Sequence, residues 1–146
     1  MFTKQDKPSL YRIALLKEVL SECKARLDEK LQPLGVTTAQ LRVLWAIEEN
    51  PAVSGAEISR LCGVTPQTGQ GFITRLEAEG WISRHPSALT DRVLVAQLTA
   101  EGKRILRRGK DIAERMDSEL WSGISPQALE LLESTLNNAI AKLKSL

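Results

Sequence analysis

Between Thr65 and Arg75 the chain reads TPQTGQGFITR, and the groups it offers are hydrogen-bonding rather than catalytic. Gln67 and Gln70 carry amides that can pair bidentately with an adenine edge, and Thr74 suits a base edge or a thymine methyl. Thr65, Thr68 and the unpaired N–H groups of a helix start suit phosphate oxygens. Arg75 either reaches a backbone phosphate or is a solvated surface arginine. Two more arginines follow, Arg84 on a strand-like segment and Arg92 in the turn material after it. Groups for covalent or acid–base catalysis do not assemble: there is one histidine, His85, and the two cysteines, Cys23 and Cys62, are far apart. The Gly69-x-Gly71 pair lacks the third glycine, the preceding strand and the Lys-Ser/Thr of a phosphate-cradling loop. No enzyme activity, metal site or cofactor is expected.

Such groups must be carried on a helix that presents one face. Thr65 is placed to cap it and Pro66 to open it, where a missing N–H costs nothing. Gly69 and Gly71 then each cost the helix about 1 kcal/mol relative to alanine. At helical spacing Gly69, Phe72 or Ile73, and Leu76 share the inward side, leaving Gln67, Gln70, Gly71 and Thr74 around the other. Upstream, Ser54-Gly55-Ala56-Glu57 has capping-box spacing and starts a short helix, with Ile58 and Leu61 inward, that ends at Gly63. Residues 54–80 therefore read as a helix-turn-helix.

After Gly80 the period changes. Segments 81–85 and 93–98 are rich in β-formers, and PSALTDR between them is turn material, which predicts a β-hairpin. The flanks are helical. Leu10, Ile13, Leu16, Leu20, Cys23, Leu27, Leu31 and Leu34 form one apolar stripe. Thr38 can cap a helix from Ala39 to about Asn50, with Leu41, Leu44, Trp45 and Ile47 inward. Thr99 caps a long helix, and Ser125-Pro126 starts the last one, with Leu129, Leu132, Leu136 and Leu143 in register.

The fold class is mainly α with a small β-hairpin wing: a winged helix-turn-helix flanked by long N- and C-terminal dimerisation helices. Residues 36–99 form the winged-helix part, and 1–35 with 100–146 the helical dimerisation region, in one intertwined domain. The end helices carry heptad-like seams that one small domain can hardly cover, so a homodimer is expected. No apolar run approaches a membrane span, and MFTKQDKPSL lacks a signal peptide's apolar core, which points to the cytoplasm. Residues 40–100 hold five Lys/Arg against six Asp/Glu, a formal net charge of −1. Binding to a polyanion would then rest on positioned contacts, with a shallow salt slope.

Arg92, then five residues, Leu98-Thr99, two residues and Gly102 resembles the Asp-x-Arg-x5-Leu-Thr-x2-Gly signature of the multiple-antibiotic-resistance regulator (MarR) family. LCGVTPQT, RLEAEGWISR and the order of elements fit as well, over nearly the whole chain. The resemblance implies a homodimeric regulator of transcription that binds a double-stranded DNA operator, usually a repressor, often released by a small-molecule effector or by oxidation. It also implies that Arg92 reaches into a minor groove. Two features depart from the pattern: Thr90 stands where the family has the aspartate that helps hold this arginine, and the glycine pair replaces larger residues.

Arg84 is either a second wing contact to DNA or a pin to Asp91 or Glu79. Cys23 is the candidate redox residue, although its place on the apolar stripe argues burial. Trp45 either lines an effector pocket or packs in the core. The rival class is a winged-helix protein-interaction module without DNA reading, which would favour apolar residues at 67, 70 and 74 over the Gln, Gln and Thr present.

Overall fold

The computed structural model describes residues 10–146. Residues 1–9, which include most of the stretch read above as lacking a signal-peptide core, lie outside the described residues. The helices are α1 (Tyr11–Leu31), α2 (Thr38–Glu49), α3 (Gly55–Cys62), α4 (Pro66–Ala78), α5 (Ala100–Leu120) and α6 (Pro126–Ser145), with a 3-10 turn at Gln32–Leu34. The strands are β1 (Val53–Ser54), β2 (Ile82–Pro86) and β3 (Leu94–Leu98).

Hydroxyl caps set most helix starts. Thr65 accepts from the Thr68 N–H at 3.2 Å, Thr99 from Gly102 at 3.0 Å and Ser125 from Ala128 at 3.1 Å, as expected from the sequence. The cap of α2 is Thr37 rather than Thr38. Thr37 Oγ1 accepts from the Gln40 N–H at 3.1 Å, and Gln40 Oε1 accepts from the Thr37 N–H at 3.0 Å, a complete capping box. The Thr38 N–H is thereby free to donate to Asp28 Oδ1 at 2.7 Å, which ties α2 to α1. At Ser54 the box is only half formed. Its hydroxyl accepts from the Glu57 N–H at 3.3 Å but donates to the Glu57 carboxylate at 2.9 Å, so the glutamate does not return to the main chain.

Strand order is β1-β3-β2, all antiparallel, with Ile82 opposite Leu98 and Val53 opposite Ala96. The hairpin β2–β3 was expected; β1 was not. A two-residue strand that runs straight into a helix cap leaves no alternation to detect.

Residues 10–113 contain the core, in which Leu44, Ile58, Ile73, Leu76, Val53 and Leu106 are almost completely buried. Two inward assignments fail here: Trp45 is 41% exposed on α2 and Leu61 is 52% exposed on α3, where Ser59 and Cys62 are buried instead. Along α1 only Leu31 is buried, whereas Ile13, Leu16 and Leu20, and Leu10 just before the helix, are exposed. Residues 114–146 form a second unit containing the end of α5 and all of α6. Within it α6 has no buried residue, and Leu131, Ile140 and Leu143 are exposed. Among the described residues no helix is long and apolar enough to cross a membrane.

Candidate nucleic-acid interface

Helix α4 has two unlike faces. Gly69, Ile73 and Leu76 are buried and Phe72 is half-buried, whereas Gln67, Thr68, Gln70, Gly71, Thr74 and Arg75 are exposed. This division matches the spacing argument. The inward glycine has a steric cause: a Cβ at Gly69 would overlap the Ser59 hydroxyl and stand 2.9 Å from Ser59 Cβ and 3.3 Å from its Cα. Ser59 is itself 3% exposed and its hydroxyl donates to the Gly55 carbonyl at 3.1 Å. Helices α3 and α4 therefore approach at a serine–glycine contact. The turn between them is closed by Gly63 at φ 64°, a left-handed conformation suited to glycine.

On the outward side a Cβ at Gly71 would meet nothing within 4 Å. Gln70 Nε2 donates to Thr74 Oγ1 at 3.4 Å, a long bond that a better partner can replace at little cost. The Thr65 hydroxyl donates to Thr68 Oγ1 at 3.0 Å while it caps the helix, so the two threonines rigidify the helix start. What α4 presents is an amide-and-hydroxyl strip with a gap at Gly71.

Arg92 is exposed in the turn that joins β2 to β3. Thr90 still acts locally at its departed position: its Oγ1 accepts from the Arg92 main-chain N–H at 3.3 Å. Arg84 is placed differently. Its Nε donates to Glu77 Oε2 at 3.2 Å and its Nη2 to Glu77 Oε1 at 3.1 Å, a two-point clamp from β2 to the last turn of α4. The partner is Glu77, not the Asp91 or Glu79 considered from the sequence, and the Arg84 side chain is 23% exposed. The Arg84 hydrogen bond lowers the Glu77 carboxyl pKa and the same bond raises that of Arg84, so both stay charged at neutral pH.

The Leu-Thr-x2-Gly run proves to be a clasp. Leu98 is nearly buried, the Thr99 hydroxyl donates to the Gly80 carbonyl at 2.7 Å, and the Thr99 N–H donates to the Trp81 carbonyl at 3.0 Å. A Cβ at Gly102 would overlap that carbonyl oxygen and lie 2.9 Å from its carbon. These residues lock β2 and the start of α5 together and so aim the hairpin. Sequence reasoning quoted the motif but not this packing role, because the partners at 80 and 81 are distant in the chain.

Trp45 lies at the surface. Its indole N–H donates to Glu49 at 2.7 Å, and Lys110 Nζ sits 4.4 Å from the ring centroid while also pairing with Glu48 at 2.9 Å. Trp45 lines a cavity of about 240 Å³ with Arg42, Ala46, Glu49, Asn50, Leu61 and Cys62. Burial pushes the Cys62 thiol pKa up against the opposing charge of Arg42, which disfavours the reactive thiolate. Cys23 is half-buried on α1. Among the described residues no three His, Cys, Asp or Glu side chains converge as metal ligands.

A protein-family model described as the MarR family matches residues 34–92. An HTH-type transcriptional repressor of Mycobacterium tuberculosis is 30% identical over 117 residues, covering 80% of this chain and 84% of that protein. The multiple antibiotic resistance protein MarR of Escherichia coli is 25% identical over 115 residues, covering 78% and 80%. The crystal structure of a MepR–DNA complex from S. aureus superposes with a TM-score of 0.80 at 21% identity, covering 97% of this chain and 99% of the other. At that identity the likeness establishes the winged-helix fold.

Proposed function

This chain belongs to the MarR family, and from that membership and the geometry above we propose that it is a sequence-specific, double-stranded DNA-binding transcriptional repressor that acts as a homodimer. The observation that carries the reading is the two-faced α4, whose buried side is locked on α3 and whose exposed side is Gln67, Gln70, Gly71 and Thr74. A second helix of a helix-turn-helix lies in the major groove with such groups at the base edges. Arg92, exposed on the wing, is the residue for the neighbouring minor groove in this reading, where narrow A·T-rich stretches attract arginine. Thr65 and Thr68 meet phosphates at the helix start, and Arg75 the backbone beyond. Arg84 acts mainly by holding β2 to α4 through Glu77. The Mycobacterium tuberculosis relative is named a transcriptional repressor and the MepR structure holds DNA, both in keeping with this reading.

Dimerisation is supported by the uncovered apolar residues of α1 and α6. For release from DNA, the cavity beside Trp45 is the proposed effector site. At about 240 Å³ it suits a small molecule, to which Trp45 and Leu61 offer apolar surface and Arg42 and Glu49 opposite charges. The redox alternative rests on Cys23 alone, since burial disarms Cys62.

The test is selection from a random duplex pool, followed by sequencing and measurement of binding to the recovered duplex. Enrichment of a two-fold-symmetric site is expected, because a symmetric dimer reads paired half-sites. Absence of enrichment from a stable dimer would refute the DNA reading and leave the protein-interaction module.

A further inference from the structure

The hairpin tip carries a residue that folding does not explain. Leu89 is 95% exposed in the turn between Pro86 and Leu94, where its neighbours are Ser87, Ala88, Thr90 and Asp91. Its main chain is nonetheless pinned. The Leu89 N–H donates to Ser87 Oγ at 3.2 Å, and the Ser87 N–H donates to the Val93 carbonyl at 2.7 Å, closing the base of the turn. Val93 and Leu94, which follow Arg92 in the chain, are also exposed, at 41% and 44%. A single exposed leucine is ordinary, but this one stands three residues before the exposed Arg92 in the turn that joins β2 to β3.

Charge gives this leucine a purpose. The winged-helix residues 40–100 carry a formal net −1, so within this segment ionic attraction adds little beyond its positioned arginines. Apolar contact with deoxyribose edges and base steps contributes affinity independent of salt. Minor-groove-binding proteins use leucine and similar side chains in this way, as wedges against partly unstacked steps.

We propose that Leu89 is a DNA-contacting residue, an apolar wedge that enters the minor groove next to Arg92 and makes part of operator affinity insensitive to salt. The proposal rests on the DNA-binding reading above. The test compares wild type, Leu89→Ala, Leu89→Met and Arg92→Ala by fluorescence anisotropy on the duplex recovered by selection, across a salt series. Leu89→Ala is expected to weaken binding by about five- to tenfold with an unchanged slope of log affinity against log salt. Leu89→Met, which conserves volume, restores most of the affinity. Arg92→Ala lowers the slope by about one. Wild-type affinity in Leu89→Ala overturns the wedge while leaving the DNA reading intact. A slope change in Leu89→Ala matching that of Arg92→Ala also overturns it, because Leu89 would then act by positioning the arginine. If wild type itself binds no selected duplex, both readings fall. The side chain is exposed, so an unchanged melting temperature confirms that these variants fold.

Discussion

Replacing Gly69 or Gly71 by alanine is the same chemical change two residues apart in one helix, and the structure requires opposite outcomes. In each case the backbone gains about 1 kcal/mol of helix propensity. At Gly71 the new methyl meets nothing within 4 Å, so the gain is realised in full. At Gly69 it collides with Ser59. The hydroxyl can rotate away, but Ser59 Cβ at 2.9 Å and Cα at 3.3 Å are fixed to α3, and the two helices must separate. Overpacking of this kind costs about 1–3 kcal/mol, and a contact made by backbone-anchored atoms belongs at the upper end. The net expectation is a loss of about 1–2 kcal/mol for Gly69→Ala against a gain of about 1 kcal/mol for Gly71→Ala. Urea unfolding followed by helical circular dichroism, at one fixed protein concentration because the expected species is a dimer, measures both. Adding Ser59→Gly to Gly69→Ala should recover part of the loss, with a coupling of at least about 0.5 kcal/mol in the double-mutant cycle. Equal shifts for the two alanine variants, or a Gly69→Ala protein as stable as wild type, would refute the serine–glycine contact as the reason for the glycine.

Three other outcomes follow. Burial tends to raise the Asp28 carboxyl, but the Lys24 ammonium at 2.8 Å and the Thr38 N–H outweigh it and lower its pKa to about 2. Its folded pKa is below its unfolded one, so its stabilisation is complete above about pH 4 and is lost as pH falls toward about 2; Asp28→Asn should flatten that limb of a stability–pH curve. Arg84→Met should lower stability by about 1 kcal/mol or less, since the Glu77 pair is partly solvated, and should weaken operator binding without lowering its salt slope by a full unit. A slope reduced by about one would instead make Arg84 a phosphate contact in its own right. Leu16→Glu in α1 or Leu143→Glu in α6 should shift sedimentation from dimer to monomer, and an unchanged dimer for both would move the interface elsewhere.

Much of this protein was legible in the chain because it is encoded over three or four residues. Hydroxyl caps at Thr65, Thr99 and Ser125, the period of α4, and the switch to β-formers after Gly80 are all local, and all appear where the spacing places them. The division of α4 into a packed and a polar face needed only helical geometry. Local rules failed where two choices were locally equivalent. Thr37 and Thr38 can both cap, and the choice fell to Thr37 because Gln40 completes its box while Asp28 of α1 takes the Thr38 N–H. Trp45 and Leu61 have inward-compatible spacing, yet both lie on the outer border of their stripes, and only the packing of α2 on α3 decides how wide each stripe is.

The same division holds for the candidate interface. Sequence alone determined which residues carry hydrogen-bonding groups on one face of α4, because hydrogen-bonding capacity and helical phase belong to residue type and spacing. Tertiary structure decided which charged groups are engaged within the fold. Arg84 and Arg92 are alike in the chain, but Glu77 comes within reach of one and leaves the other exposed in the turn between β2 and β3. Gly69 and Gly71 are likewise identical until α3 is packed against one of them. Contacts between distant segments depend on the summed geometry of every turn between them, which no short pattern carries.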